Sequence, residues 1–91
     1  MSHMNLSDFS LGTPCEVRWI DIISEPKWLK IEELQEPPII KTIGYFITAK
    51  TYHMRECLII AGSLGADHDI SNVDIIPMSV IISLESLNGR P

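Results

Sequence analysis

Five Ile-Ile doublets, at residues 22–23, 39–40, 59–60, 75–76 and 81–82, set the strongest limit on how this chain folds. Adjacent residues of a strand point to opposite faces of its sheet. A doublet therefore places apolar surface on both sides at once. A free-standing sheet with one wet face shows clean alternation instead. The doublets call for a strongly bent sheet closing into a small barrel, its outer apolar patches covered by a helix or by another subunit. Isolated exposed isoleucines are the other way to accommodate them, but one doublet in each candidate strand favours the covered sheet. With 15 Ile against 8 Leu and 3 Ala, the chain also favours strands over helices.

The doublets divide the chain into five strands. Cys15–Ile23 is the first. Ser24–Pro38 follows, with a short helix expected over Lys27–Gln35 that would align Trp28, Ile31 and Leu34 on one face. Ile39–Lys50 is the second strand, where Gly44 signals a bend, a bulge or a close backbone approach. Thr51–Arg55 turns the chain into the third strand, Glu56–Ala61. Val73–Ile76 is the fourth; Pro77 then permits one turn of 3₁₀ helix across Met78-Ser79 before the fifth, Val80–Leu87. The expected core is Val17, Trp19, Ile22, Ile43, Tyr45, Leu58, Ile60, Ile75, Ile81 and Leu84. The domain runs over 15–87, preceded by a tag remnant (Ser2-His3-Met4) and a flexible lead-in over 1–14, and followed by a tail over 88–91.

A single domain of 91 residues buries only about 60–65% of its unfolded surface. Two cysteines allow one disulfide at most, so oligomerisation is the natural remaining source of stability. The formal charge of −5 is too acidic for an ordinary basic nucleic-acid domain. No apolar run approaches the ~18 residues of a membrane span. Met1–Leu11 lacks the basic start and apolar stretch of a secretory signal. Cys15 and Cys57 read as reduced residues of a cytoplasmic β-core.

No hydrolase elbow, phosphate loop, zinc spacing or dinucleotide fingerprint is present, and no enzyme or cofactor is expected. His53 and Cys57, on a turn and a strand, do not share a face for a metal, and Asp67-His68-Asp69 reads as a solvated loop. The chemistry-bearing candidates are few. Trp28 lies between Lys27 and Lys30, where an indole can stack a base while the ammonium groups meet phosphate. Its alternative role is to pin the short helix onto the barrel. Arg55, with His53 and Lys50, makes a second cationic spot in the hairpin turn. Asp21 or Ser24, just before the Trp28 loop, can meet a ribose hydroxyl or base edge.

Val17-Arg18-Trp19-Ile20-Asp21, then Ser24 and Trp28, then Lys41-Thr42-Ile43-Gly44-Tyr45, then Ile75-Ile76-Pro77 with Ile81, resemble the sequence pattern of a group of small bacteriophage proteins. The chain is similar over Val17–Leu87 to the Sm-like (LSm/Hfq-type) small β-barrel superfamily. That resemblance implies five bent strands, a ring-shaped homo-oligomer and, if phage-encoded, the host cytoplasm. The expected ring has five to seven subunits, the fourth strand of each pairing with a neighbour's fifth. Three functions follow as expectations. One is sequestration of a small nucleotide, as in phage proteins that act as sponges for immune signalling nucleotides. The others are an RNA-binding ring and a ligand-free scaffold. Seven Lys and Arg residues are few for the counterion release that RNA binding uses.

Overall fold

The computed structural model describes residues 6–88; the tag-like Ser2-His3-Met4 and the end of the tail, 89–91, lie outside them. Five strands form one bent antiparallel sheet: β1 (Pro14–Ile20), β2 (Ile39–Tyr52), β3 (Arg55–Leu64), β4 (Ile70–Pro77) and β5 (Ile81–Ser86). Their order across the sheet is β4-β3-β2-β1-β5. The all-β class, the number of strands and their sequence order are as expected, although the doublet at 22–23 lies beyond β1. The sheet is not closed: β4 and β5 are its outer strands, joined by a 3₁₀ turn at Met78–Val80 that follows Pro77 as expected.

The bend originates in β2. Gly44 presents no side chain to the inner face, where an added Cβ would stand 2.7 Å from both the Ala61 carbonyl oxygen and the Ile60 Cγ2. Two residues further on, the β2–β3 register shifts between Phe46 and Thr48. Such a bulge sharpens local twist and lets a long strand curl. The curled inner face gathers Cys15 and Val17 from β1, Phe46 from β2, Leu58 and Ile60 from β3 and Ile76 from β4 into one core. Trp19, Met78, Val80, Ile81 and Leu84 pack against it. The Trp19 indole Nε1 donates to Thr42 Oγ1 at 3.0 Å, which satisfies the polar edge of a half-buried ring.

Val17, Leu58 and Ile60 are buried as expected, and Trp19, Ile81 and Leu84 pack on the core. Ile22, Ile43, Tyr45 and Ile75 do not belong to it. On β2 the phase is opposite to the expected one. The face carrying Gly44 and Phe46 turns inward, because only a glycine admits the close approach of β3. Ile43 and Tyr45 therefore point out. On β4 it is Ile76 that faces the core, leaving its doublet partner Ile75 half-exposed. Strand β1 stops at Ile20, so Ile22 falls beyond the sheet and is 82% exposed.

The lead-in is not loose over its described part. Leu6–Asp8 forms a 3₁₀ turn, and Leu6 and Phe9 pack on the core. Phe9 meets Phe46 with ring centroids 5.4 Å apart. The β1–β2 register ends at Pro14 opposite Tyr45, and the lead-in takes over the next backbone groups of β2. Gly12 N–H donates to the Phe46 carbonyl at 2.7 Å, and Phe46 N–H donates to the Thr13 carbonyl at 2.8 Å.

The molecule is elongated and surface-rich. Its radius of gyration is 15.5 Å, against about 12 Å for a compact domain of this length. It exposes 7147 Å², about 1,800 Å² more than a compact monomer of this mass. Among the described residues, no helix is long and apolar enough to cross a membrane.

Candidate functional site

The connection between β1 and β2 leaves the sheet as an arm. Its base is pinched by the Asp21 N–H, which donates to the Pro38 carbonyl at 3.0 Å. Beyond that pinch every residue from 22 to 39 is exposed. The helix expected over Lys27–Gln35 reduces to a single 3₁₀ turn, Ile31–Glu33. Reciprocal bonds close it: Glu33 N–H donates to the Lys30 carbonyl at 2.9 Å, and Lys30 N–H donates to Glu33 Oε1 at 3.2 Å. A helix this short is marginal without tertiary packing. Its intended apolar stripe finds none, since Trp28, Ile31 and Leu34 are all exposed.

Trp28 is wholly exposed and so does not pin the arm to the sheet. Lys27 and Lys30 flank it, also exposed, and their side chains form no ion pair among the described residues. Ser24 is exposed on the same arm. Asp21 sits at the root, where its Oδ1 accepts from the Ile22 N–H at 2.8 Å. It also borders a small cleft of about 160 Å³ between the end of β1 and β4, lined by Trp19, Ile76 and Val80 among others. The arm thus groups Lys27, Trp28 and Lys30, with Ser24 nearby in sequence.

Arg55 is not brought to them within the chain. It follows the β2–β3 turn, at the opposite end of the 14 residues of β2. At ~3.3 Å per residue the path along that strand between the two places runs to tens of ångströms. The turn itself consists of His53 and Met54, with φ of 50° and 63°. Tyr52 and Arg55 pair across it, which is the two-residue hairpin whose twist matches that of its strands. Met54 is 94% exposed at the tip. Lys50 Nζ stands 5.4 Å from the Tyr52 ring centroid.

Two features of this region were not read from the sequence. The concave side of the arm encloses about 650 Å³. Ile23, Leu29, Leu34 and Pro37 supply its apolar lining, and Glu25, Glu32 and Glu33 its acidic groups. Trp28, Lys27 and Lys30 are not part of that lining. The second is Met54, an apolar side chain displayed where turns ordinarily carry Gly or Asn. Its signal was present in Tyr52-His53-Met54-Arg55, a turn without glycine.

Elsewhere the chemistry is sparse. Among the described residues no group of three or more His, Cys, Asp or Glu is placed to hold a metal ion. Asp67-His68-Asp69 forms an exposed turn held by backbone bonds, Gly65 N–H donating to the Asp69 carbonyl and His68 N–H to the Gly65 carbonyl. Cys15 and Cys57 are buried free thiols. Burial pushes the Cys15 thiol up to about 11. Compared with known protein families, with characterised proteins and with solved structures, the chain matches none.

Proposed function

We propose that this protein is a non-catalytic, ring-forming module that binds a small nucleotide and holds it without turning it over. The observation that carries the reading is Trp28, a wholly exposed indole between two exposed lysines that form no ion pair among the described residues, on an arm that no other described segment covers. Stacking on an aromatic ring is worth about 1–3 kcal/mol per base. Lys27 and Lys30 add charge-assisted bonds to phosphate. The charge of −5 favours a compact anion over a long one, which would meet repulsion along its length. Ring formation draws support from the outer strands β4 and β5. Val73 and Ile75 on the outer strand β4 are half-exposed apolar residues at the sheet edge. An uncovered edge of that kind invites pairing, and cyclic symmetry satisfies it without fibre growth.

The test has two parts. Protein purified from a nucleotide pool is heat-denatured and the released small molecules are identified. Calorimetric titration then compares the wild type with Trp28→Ala, using cyclic dinucleotides and short oligo-uridine as probes. Tight binding of a nucleotide, weakened at least fivefold by Trp28→Ala and further by salt, supports the reading. Preference for oligo-uridine makes the ring an RNA binder. No binding tighter than ~100 µM, about 5.5 kcal/mol, leaves a ligand-free scaffold.

A further inference from the structure

We propose that copies of this chain engage head to tail, with the β2–β3 hairpin tip of one copy seated in the acidic hollow of the next copy's arm. The two surfaces are complementary in both apolarity and charge. The hollow is lined by apolar Ile23, Leu29 and Leu34 together with acidic Glu25, Glu32 and Glu33. The tip offers Met54, 94% exposed on a rigid two-residue turn. It is flanked by Lys50 and Arg55, whose side chains form no ion pair among the described residues. Across 21–38 the arm carries five acidic groups against two lysines, while 50–55 carries two cations and no acid. Thioether side chains adapt to irregular apolar hollows, and about 650 Å³ is ample for one Met and its neighbours.

The occupant is a second copy because the chain's own tip lies at the far end of β2 from its own arm. A head-to-tail contact uses two different patches on every subunit, and it closes into a ring when the rotation permits. It stands apart from the β4–β5 edges and adds to them. The contact does not depend on the proposed nucleotide site, since Lys27, Trp28 and Lys30 are not part of the hollow's lining.

Cysteine cross-linking without nucleotide tests the contact directly. His53 and Gln35 are exposed, at the tip and at the hollow, so His53→Cys and Gln35→Cys leave the fold and the Met54 anchor in place, while the native thiols are buried. Mixing the two full-length variants under mild oxidation is expected to give a disulfide-linked dimer that neither variant gives alone. A mixture that cross-links no more than the separate variants overturns the proposal. Sedimentation velocity supplies a second readout. Arg55→Glu and Glu32→Lys are each expected to weaken self-association at least tenfold, and the double variant to recover most of it. Single variants that associate like the wild type, or a double variant no better than either single, refute the charge pairing. Trp28→Ala is expected to cross-link and sediment normally, so failure of the nucleotide reading leaves this result untouched.

Discussion

Replacing Gly44 by alanine puts a methyl group 2.7 Å from the Ala61 carbonyl oxygen and the same distance from Ile60 Cγ2. In an ordinary strand the change is favourable by roughly 0.5–1 kcal/mol, because glycine loses more conformational freedom on folding. Here the sign reverses. One of the two contacts is backbone and cannot rotate away, so β2 and β3 must separate where the sheet bends. Overpacking of this kind costs about 1–3 kcal/mol, which for a domain of this size lowers the melting temperature by roughly 4–20 °C. Urea unfolding followed by tryptophan fluorescence measures it as a lower midpoint at unchanged slope. Gly65→Ala is the control, since a Cβ there meets nothing closer than 3.4 Å, and it is expected to be neutral or slightly stabilising. A Gly44→Ala protein as stable as the wild type refutes the close approach and, with it, the assignment of β2's inner face.

Leu58, fully buried between Ala49 and Ile76, is expected to cost about 2–5 kcal/mol as Leu58→Ala, a large part of a small domain's stability, read from the same urea curves. Trp28→Ala is expected to change stability by less than ~0.5 kcal/mol because no described residue packs on the indole; a cooperative loss of structure refutes that exposure. Thr42→Val leaves the Trp19 Nε1 donor unpartnered and is expected to cost about 1 kcal/mol, visible as a shifted tryptophan emission. Cys15 titrates near 9.0 in an unfolded chain and about 11 in the fold. The folded state thus keeps its proton while the unfolded state loses it, and stability falls as pH rises from about 9 to 11. Urea midpoints across that range, with Cys15→Ala as the flat reference, check the slope.

The fold was legible wherever side-chain identity alone decides it. Doublets at 39–40, 59–60, 75–76 and 81–82 marked four strands, and Pro77 marked the turn between the last two. What the sequence concealed is phase. Ile43 and Tyr45 look like a core face more than Thr42, Gly44 and Phe46 do, yet the inner face is chosen by which residue lets β3 approach, and that residue is Gly44. The doublet at 22–23 misled for a related reason: apolar residues imply burial only where a partner surface exists, and the arm has none among the described residues. The same gap hid the helix, since the spacing of Trp28, Ile31 and Leu34 is helical but unsupported. At the candidate site, the pairing of Trp28 with Lys27 and Lys30 could be read directly. The distance to Arg55 could not, because it depends on where β2 begins and ends.

The strand order carries a kinetic consequence. Strands β2, β3 and β4 are consecutive neighbours, and the first two meet through a turn of only two residues. That hairpin closes locally and fast, on the microsecond scale of such turns. Strand β1 reaches β2 only after the whole arm is looped out. Strand β5 then pairs with β1, bringing Leu84 opposite Val17 across most of the chain. Contacts of such long sequence separation close last and slow the whole process towards milliseconds or longer. Until β5 arrives, β1 is itself an open edge, so a nascent chain interrupted before Ile81 holds β2–β4 with its core uncovered on one flank.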